Sequence, residues 1–386
     1  MTIPTLPDLT PPDLTLGVIG RTGKENEHRL PLHPAQLGRI DADLRDRIYL
    51  EDGYGADFGV SDTELSESVA GVRSRAQLIA ECDVILLIKP DADDLDELRG
   101  GQVLWGWPHC VQNATLTQRA VEHRQTLIAF ESMQHWSADG SFTLHVFHKN
   151  NEMAGYCSVL HALQLIGSTG TYGRRLRAAV IGFGATARGA VTALSAHGVT
   201  DVDILTHRGV TAVASPIHSA DIVQFDEQAT GPGGRSQCYA LIDGGRTPLA
   251  EFLAEHDVIV NCVLQDTDAP LTFLVEDDLA AFQPGSVIID VSCDEAMAFS
   301  WARPTSFDHP TFTVGTNITY YAVDHSPSYL WNSATWEISE ALLPYLRSVL
   351  AGPEGWNADP TIRRAIEIQD GKILNPNITS FQRRQG

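Results

Sequence analysis

The chain has 386 residues, 43% apolar and 20% charged, the balance of a soluble two-domain globular protein rather than a disordered one. Basic residues number 27 against 49 acidic, a formal charge of −22, which argues against a nucleic-acid backbone or an anionic membrane as partner, since both demand a basic face. Apolar runs such as 84–88 fall far short of the roughly 20 residues of a bilayer span, and the polar, proline-rich start lacks a secretory pattern. Six cysteines without CxxC spacing read as free thiols of a reducing cytoplasm.

Short β-rich runs at 16–20, 47–50, 84–89, 103–105 and 126–130, separated by polar stretches of helical length, predict a βαβ domain over 1–148. Met153, Val159, Leu160, Leu163 and Ile166 recur near helical spacing, so a helix is predicted over about 151–165, closed by Gly167-Ser168-Thr169-Gly170. A second alternation, with strands at 178–181, 202–205, 258–262, 287–291 and 311–314, predicts a second α/β domain over 149–324. Residues 325–386 begin aromatic (Tyr329, Trp331, Trp336), turn helix-like over 338–350, and are too short to stand alone, so they are expected to complete the first domain. The predicted fold class is α/β, two Rossmann-like domains with mainly parallel sheets separated by a cleft.

Arg177-Ala-Ala-Val-Ile-Gly182-Phe-Gly184-Ala185-Thr186-Ala187-Arg-Gly189 reads as strand, glycine turn and helix. Gly182 permits the turn and Gly184 lets backbone approach a pyrophosphate. Ala185 and Thr186 open a helix whose N–H groups favour phosphate, and Ala187 or Gly189 allows close helix packing. Where an acid would hold the adenosine ribose of NAD stands Thr206, followed by His207 and Arg208. An acid there would repel a 2′-phosphate and Arg208 could pair with it, so NADP(H) is favoured over NAD(H). Asp203, further back in the strand, is read as facing core or solvent. Val263 and Leu264, past the 258–262 strand, complete the candidate cofactor residues.

Four motifs end or follow strands, where open α/β sheets bind ligands. They are Glu27-His28-Arg29-Leu-Pro-Leu32-His33-Pro34, Ile88-Lys89-Pro90, Trp107-Pro108-His109 and Asp290-Val-Ser-Cys293-Asp294. With Asn151-Glu-Met-Ala154-Gly155 and the glycine loop, they resemble, over nearly the whole chain, the superfamily of alanine dehydrogenase, transhydrogenase and saccharopine dehydrogenase. Within it, Asn261-Cys262-Val-Leu-Gln265-Asp and Asp324-His325-Ser-Pro327-Ser-Tyr-Leu-Trp331-Asn look most like the N5-(carboxyethyl)ornithine synthase branch.

The resemblance implies an NADPH-dependent oxidoreductase that condenses a 2-oxo acid, pyruvate favoured, with an amino-acid amine, ornithine favoured, and reduces the imine. It also implies a homo-oligomer and Lys89 and His109 as the acid/base pair. Two cations held close lower each other's pKa, bringing lysine toward neutrality. Arg29 could clamp the oxo-acid carboxylate, and Asp294 would orient water or the amine, or balance Lys89. No metal is expected, because no His/Asp/Glu/Cys cluster has ligand spacing.

Rival functions are alanine dehydrogenase with ammonia, saccharopine formation with Arg21 or Lys24 on a second carboxylate, and a non-catalytic NADP-binding sensor. Structural readings stand beside the functional ones: Arg29 as a surface ion pair, Lys89 as a solvated strand end, His109 as a structural histidine, Asp294 as a helix N-cap. The acidic run 91–97 reads as a helix start and solvated face. The C-terminal aromatics read as packing or subunit contact, with His325 or Tyr329 as alternatives bordering the second substrate.

Overall fold

A computed structural model describes residues 13–207, 220–228, 237–265, 270–293, 295 and 297–384. It divides into two units, Met1–His148 with Trp331–Gly386, and Lys149–Leu330.

In the first unit the β-rich runs become β1 (Leu16–Ile19), β2 (Ile48–Glu51), β3 (Gly71–Arg73), β4 (Val84–Leu87), β5 (Val103–Gly106) and β6 (Thr126–Ala129). They pair in parallel in the order 3-2-1-4-5-6. Alternate residues enter different cores: Leu16, Val18, Val84 and Leu86 one, Ile19, Ile85 and Leu87 the other. Because both faces are covered, these strands read as continuous apolar runs. The C-terminal segment extends the sheet, with Ile366–Gln369 antiparallel on β6 and Lys372–Ile373 beyond it. The run expected as one helix over 338–350 is broken: Trp331–Leu342 ends at a 3₁₀ turn, Leu343–Tyr345, before Leu346–Leu350. Pro344 has no N–H to continue the ladder. Ile338, Leu342, Leu346 and Val349 still share one buried face in the first core.

In the second unit, α1 (His148–Leu165) starts about a turn earlier than expected. The strands are β7 (Arg177–Ile181), β8 (Asp201–Thr206), β9 (Asp221–Gln228), β10 (Gln237–Ile242), β11 (Gly245–Pro248), β12 (Val258–Asn261), β13 (Val287–Asp290), β14 (Thr311–Val314) and β15 (Ile318–Tyr321). Their order is 11-10-9-8-7-12-13-15-14, parallel from β9 to β15, with β10, β11 and β14 antiparallel. Both sheets are therefore mainly parallel, as expected, with antiparallel edges that were not. Helix α2 (Ala185–Ala196) follows β7 and packs on α1 through two glycines. A Cβ on Gly155 would strike the Thr186 carbonyl, and one on Gly189 the Glu152 carbonyl. Gly189 is thus the close-packing residue, with Ala187 fully buried beside it.

Candidate active site

The order 3-2-1-4-5-6 reverses between β1 and β4, and such a switch point opens a crevice at the strands' carboxyl ends. Arg29 lies on the loop after β1, Lys89 just past β4 and His109 just past β5. Three neighbouring strands thus bring Arg29, Lys89 and His109 to one edge of the first sheet.

The Arg29 loop is pinned at both ends. Gly20 and Arg21 donate backbone N–H bonds to Glu51 Oε2 (2.9 and 3.1 Å), and Thr22 Oγ1 donates to the Lys89 carbonyl (2.7 Å). Further along, Leu30 N–H donates to Thr335 Oγ1 (2.9 Å), and the Tyr54 hydroxyl accepts from Leu32 N–H (2.9 Å) while donating to its carbonyl (2.8 Å). Between these anchors the Arg29 and Glu27 side chains are only 3% and 1% exposed. Glu27 Oε1 accepts from Arg29 N–H (3.1 Å) and Nε (2.7 Å), and Oε2 meets Nη2. The surface ion pair is therefore a buried one. The guanidinium carbon lies 5.5 Å from the Trp107 ring centroid. Arg21, by contrast, is exposed and pairs with Glu51 and Asp52.

Lys89 is half-buried between buried Ile88 and Pro90. Trp107 N–H donates to the Ile88 carbonyl (2.8 Å), which ties the Lys89 and His109 segments together. His109 adopts a left-handed backbone, φ +48°, and its N–H donates to Glu131 Oε1 (2.7 Å). Glu131 follows β6 just as Lys89 follows β4. Burial and the neighbouring Glu367 charge push its carboxyl well above the usual range, while Lys89 pulls it down. Glu131 therefore links the two expected acid/base residues, one through a hydrogen bond and one through charge. Sequence reasoning missed it, although an acid directly after the apolar run 126–130 obeys the same strand-end rule.

On the second sheet the switch point falls between β7 and β12. Gly182 has φ +117°, and a Cβ there would lie 3.1 Å from the Cys262 carbonyl oxygen, so only glycine fits without strain. Gly184 is the N-cap of α2 and faces open space, since a Cβ would meet nothing within 4 Å. Packing does not demand glycine there; the close approach of a phosphate would. Ala185 and Thr186 form the half-buried first turn. Thr206 is buried at the end of β8, and the His207 ring lies 3.8 Å from that of Phe225. Asp203 is turned away into an ion-paired cluster with His256 Nε2 (2.8 Å) and Arg177 Nη2 (2.9 Å). Val263 O accepts from Ser292 Oγ (2.6 Å), and Leu264 is 86% exposed. These residues fit a dinucleotide. Arg208 and Asp294 lie outside the described residues.

Three further features bear on the expectations. Buried Asp290 is a structural hub, accepting from Asn261 Nδ2 (2.9 Å), the Tyr320 hydroxyl (2.7 Å) and Cys293 N–H (3.1 Å). His325 is buried and lies 2.7 Å from Asp324 Oδ1 through Nδ1. In the acidic run 91–97, Asp91 caps the helix Ala92–Glu97, but Asp94 is buried against Arg75 rather than solvated. All six cysteines are thiols outside any disulfide. Among the described residues no helix is long and apolar enough to cross a membrane.

The alanine dehydrogenase/PNT N-terminal domain profile matches residues 19–154, and the C-terminal domain profile matches 169–376. Similar curated proteins include the alanine dehydrogenase of Mycobacterium tuberculosis, 25% identical over 370 residues (92% of this chain, 94% of that protein). The alanine dehydrogenase of Geobacillus stearothermophilus is 26% identical over 360 residues (91% and 92%). The N(5)-(carboxyethyl)ornithine synthase of Lactococcus lactis is 24% identical over 329 residues (82% and 90%). Among solved structures, an L-alanine dehydrogenase superposes with a TM-score of 0.73 at 18% identity, covering 96% of this chain and 99% of its own. A transhydrogenase from Sinorhizobium meliloti reaches 0.69 at 17% identity, covering 94% and 99%. With both halves matched by the family's two domains, the chain belongs to the alanine dehydrogenase/PNT family and is an NAD(P)-dependent oxidoreductase acting on CH–NH donors.

Proposed function

We propose that the protein is an NADPH-dependent reductase that joins a 2-oxo acid, pyruvate favoured, to the amine of an amino acid, ornithine favoured, giving an N-carboxyalkyl amino acid. The observation that carries this reading is the charge arrangement on the carboxyl edge of the first sheet. A buried guanidinium stands beside an indole, followed by a lysine whose charge and a histidine whose backbone N–H fall on one carboxyl.

Condensation expels the carbonyl oxygen as water, so two protons must reach that oxygen while the neutral amine nitrogen gives up two in forming the imine. Lys89 and His109 are the groups placed to trade those protons. Arg29 receives the oxo-acid carboxylate. Glu27 occupies the Nε–Nη2 edge of the fork, and the Trp107 ring lies beside the guanidinium as a wall. Asp294 is assigned to orienting the amine. The nicotinamide supplies the hydride. NADPH is preferred because Thr206 replaces the ribose-binding acid and Asp203 is committed to His256 and Arg177, with Arg208 assigned to the 2′-phosphate. A homo-oligomer in a reducing cytoplasm, where free thiols persist, is the expected setting.

Ammonia as the amine is the second reading. The two alanine dehydrogenase relatives cover 91–92% of the chain against 82% for the ornithine synthase. The motif Asp324-His325-Ser-Pro327-Ser supports the larger amine. Oxidation of NADPH, and separately NADH, is followed with pyruvate plus ornithine, then with ornithine omitted or replaced by ammonia or lysine. Turnover that requires ornithine supports the proposal, and equal turnover with ammonia replaces it with alanine dehydrogenase. Tight NADPH binding without turnover in any mixture makes the protein a sensor.

A further inference from the structure

Glu367 sits in the strand Ile366–Gln369, antiparallel to β6, where the register shifts between Ile366 opposite Ile128 and Ile368 opposite Leu127. Ile366 and Ile368 are two residues apart yet enter opposite cores, which a regular pleat forbids. The irregularity falls on Glu367, and such bulges re-aim a side chain. The Glu367 carboxyl, 2% exposed, comes to the loops that follow β5 and β6. Its Oε1 accepts from Ser132 Oγ (2.7 Å) and Asn375 Nδ2 (3.0 Å), and the Cys110 thiol also reaches the carboxyl. Glu131, adjacent to Ser132, accepts from His109, adjacent to Cys110.

Each carboxyl thus satisfies one oxygen. Glu131 Oε2 and Glu367 Oε2 are both shut off from solvent, and neither has a hydrogen-bond partner of acceptable geometry among the described residues. Two ionised carboxylates with oxygens left bare in an apolar edge are costly, and neighbouring like charges cannot both be sustained there. A proton taken up by the pair removes one of the two charges and gives a bare oxygen a donor to offer. We propose that Glu131 and Glu367 share a single proton, and that the pair, rather than Glu131 alone, forms the seat that holds the His109 turn and turns one negative charge, not two, toward Lys89.

The surroundings agree. Burial pushes both carboxyls up, and the charge on Glu367 pushes Glu131 further. The groups facing the pair are Lys89, His109, the Cys110 thiol, which burial also pushes up, and His145. His145 Nδ1 accepts from Phe147 N–H (3.0 Å), and its Nε2 lies 3.1 Å from the Glu131 carbonyl oxygen. Burial holds His145 below its ordinary pKa, so this ring is neutral and brings no second cation. Glu131 and Glu367 are positioning residues in this scheme, acting through His109 and Lys89.

The test uses full-length Glu367→Gln and Glu131→Gln and needs no turnover, so its outcome is separate from the identity of the amine. Glutamine at 367 keeps an acceptor for Ser132 and Asn375 and offers an N–H to Glu131 Oε2, replacing the shared proton. A carboxyl whose folded pKa is raised contributes stability that is present below its ordinary value, 4.5, and is lost as pH rises through the raised value. Either glutamine removes that loss. The difference in Tm, variant minus wild type, is expected to grow from pH 5 to pH 9, by about 3–5 °C for each pKa unit of elevation removed. Infrared spectra at neutral pH are expected to show a protonated-carboxyl band in the wild type that both variants lose. A Tm difference of either sign that stays constant from pH 5 to 9, or a band unchanged in both variants, overturns the shared proton. Should one variant fail to fold, the other reads the same pair.

Discussion

Glu27→Gln probes the buried ion pair of Arg29, the residue proposed to receive the oxo-acid carboxylate. Glutamine retains an Oε1 acceptor for the Arg29 backbone N–H and Nε, but it sets an amide donor against Nη2 where Oε2 now stands. One bond and the Glu27 charge are lost from a pair almost closed to solvent. Removing one partner of a buried pair costs about 3–5 kcal/mol, and the surviving Oε1 bonds place this case near about 3 kcal/mol. For a domain of this size that corresponds to a fall in Tm of about 6–12 °C. If Arg29 receives the 2-oxo acid, a guanidinium relieved of the Glu27 charge binds a carboxylate more tightly. Pyruvate alone should then raise the Tm of the variant more than that of the wild type, since a bound ligand stabilises in proportion to ln(1 + [L]/Kd). Thermal melts with and without pyruvate read both effects. A variant melting within about 2 °C of wild type, less than 1 kcal/mol on the same scale, refutes the buried-pair argument. Equal pyruvate shifts in both proteins refute the carboxylate role.

Lys89→Ala and His109→Ala should each lower turnover at least about 100-fold, the scale of a positioned acid or base, with NADPH affinity by fluorescence titration unchanged. Wild-type-like rates in both would remove them from the mechanism. Gly189→Ala drives a Cβ into the Glu152 carbonyl and should cost about 1–3 kcal/mol of stability. Gly184→Ala meets open space and should leave Tm alone while weakening NADPH binding; unweakened binding would detach Gly184 from the cofactor. His161 stacks on Tyr329 (centroids 4.6 Å) and Phe307 (5.6 Å), and burial holds its imidazole below the ordinary 6.5. A depressed base contributes stability that is full above about pH 6.5 and is lost as pH falls toward its folded value. His161→Phe should therefore flatten the Tm slope between pH 7 and pH 5, and an unchanged slope would contradict the neutral ring.

What the sequence disclosed follows from how each strand is buried. β1, β4, β5 and β6, like β7, β8, β12 and β13, have both faces covered and so appear as apolar runs whose bounds can be read to within a residue or two. The meander β9-β10-β11 was not legible, because Asp221–Gln228 is mostly polar and only partly buried, and its pairing is decided by distant residues. Strand Ile366–Gln369 was hidden by the charge at its irregular point, and the helix break at Pro344 was visible in the sequence but overlooked inside an apolar periodicity.

The site divides along the same physical line. Lys89 and His109 stand out in the sequence because a basic group just past an apolar strand end announces itself, and Arg29 by the motif around it; their part in the chemistry is proposed. Their partners do not stand out, because the residues were scanned for what would grip a carboxylate and not for what makes a cation tolerable at an apolar edge. Burying a guanidinium or an ammonium costs several kcal/mol, on the order of 3–5, unless a countercharge is supplied, so each buried cation predicts a carboxylate. For Arg29 it is Glu27, two residues away in sequence; half-buried Lys89 feels Glu131, two strands along the sheet, through charge. By that reckoning Glu367 is one carboxylate more than the cations require. The surplus is what turns a matched pair of opposite charges into a site that must take up a proton to exist.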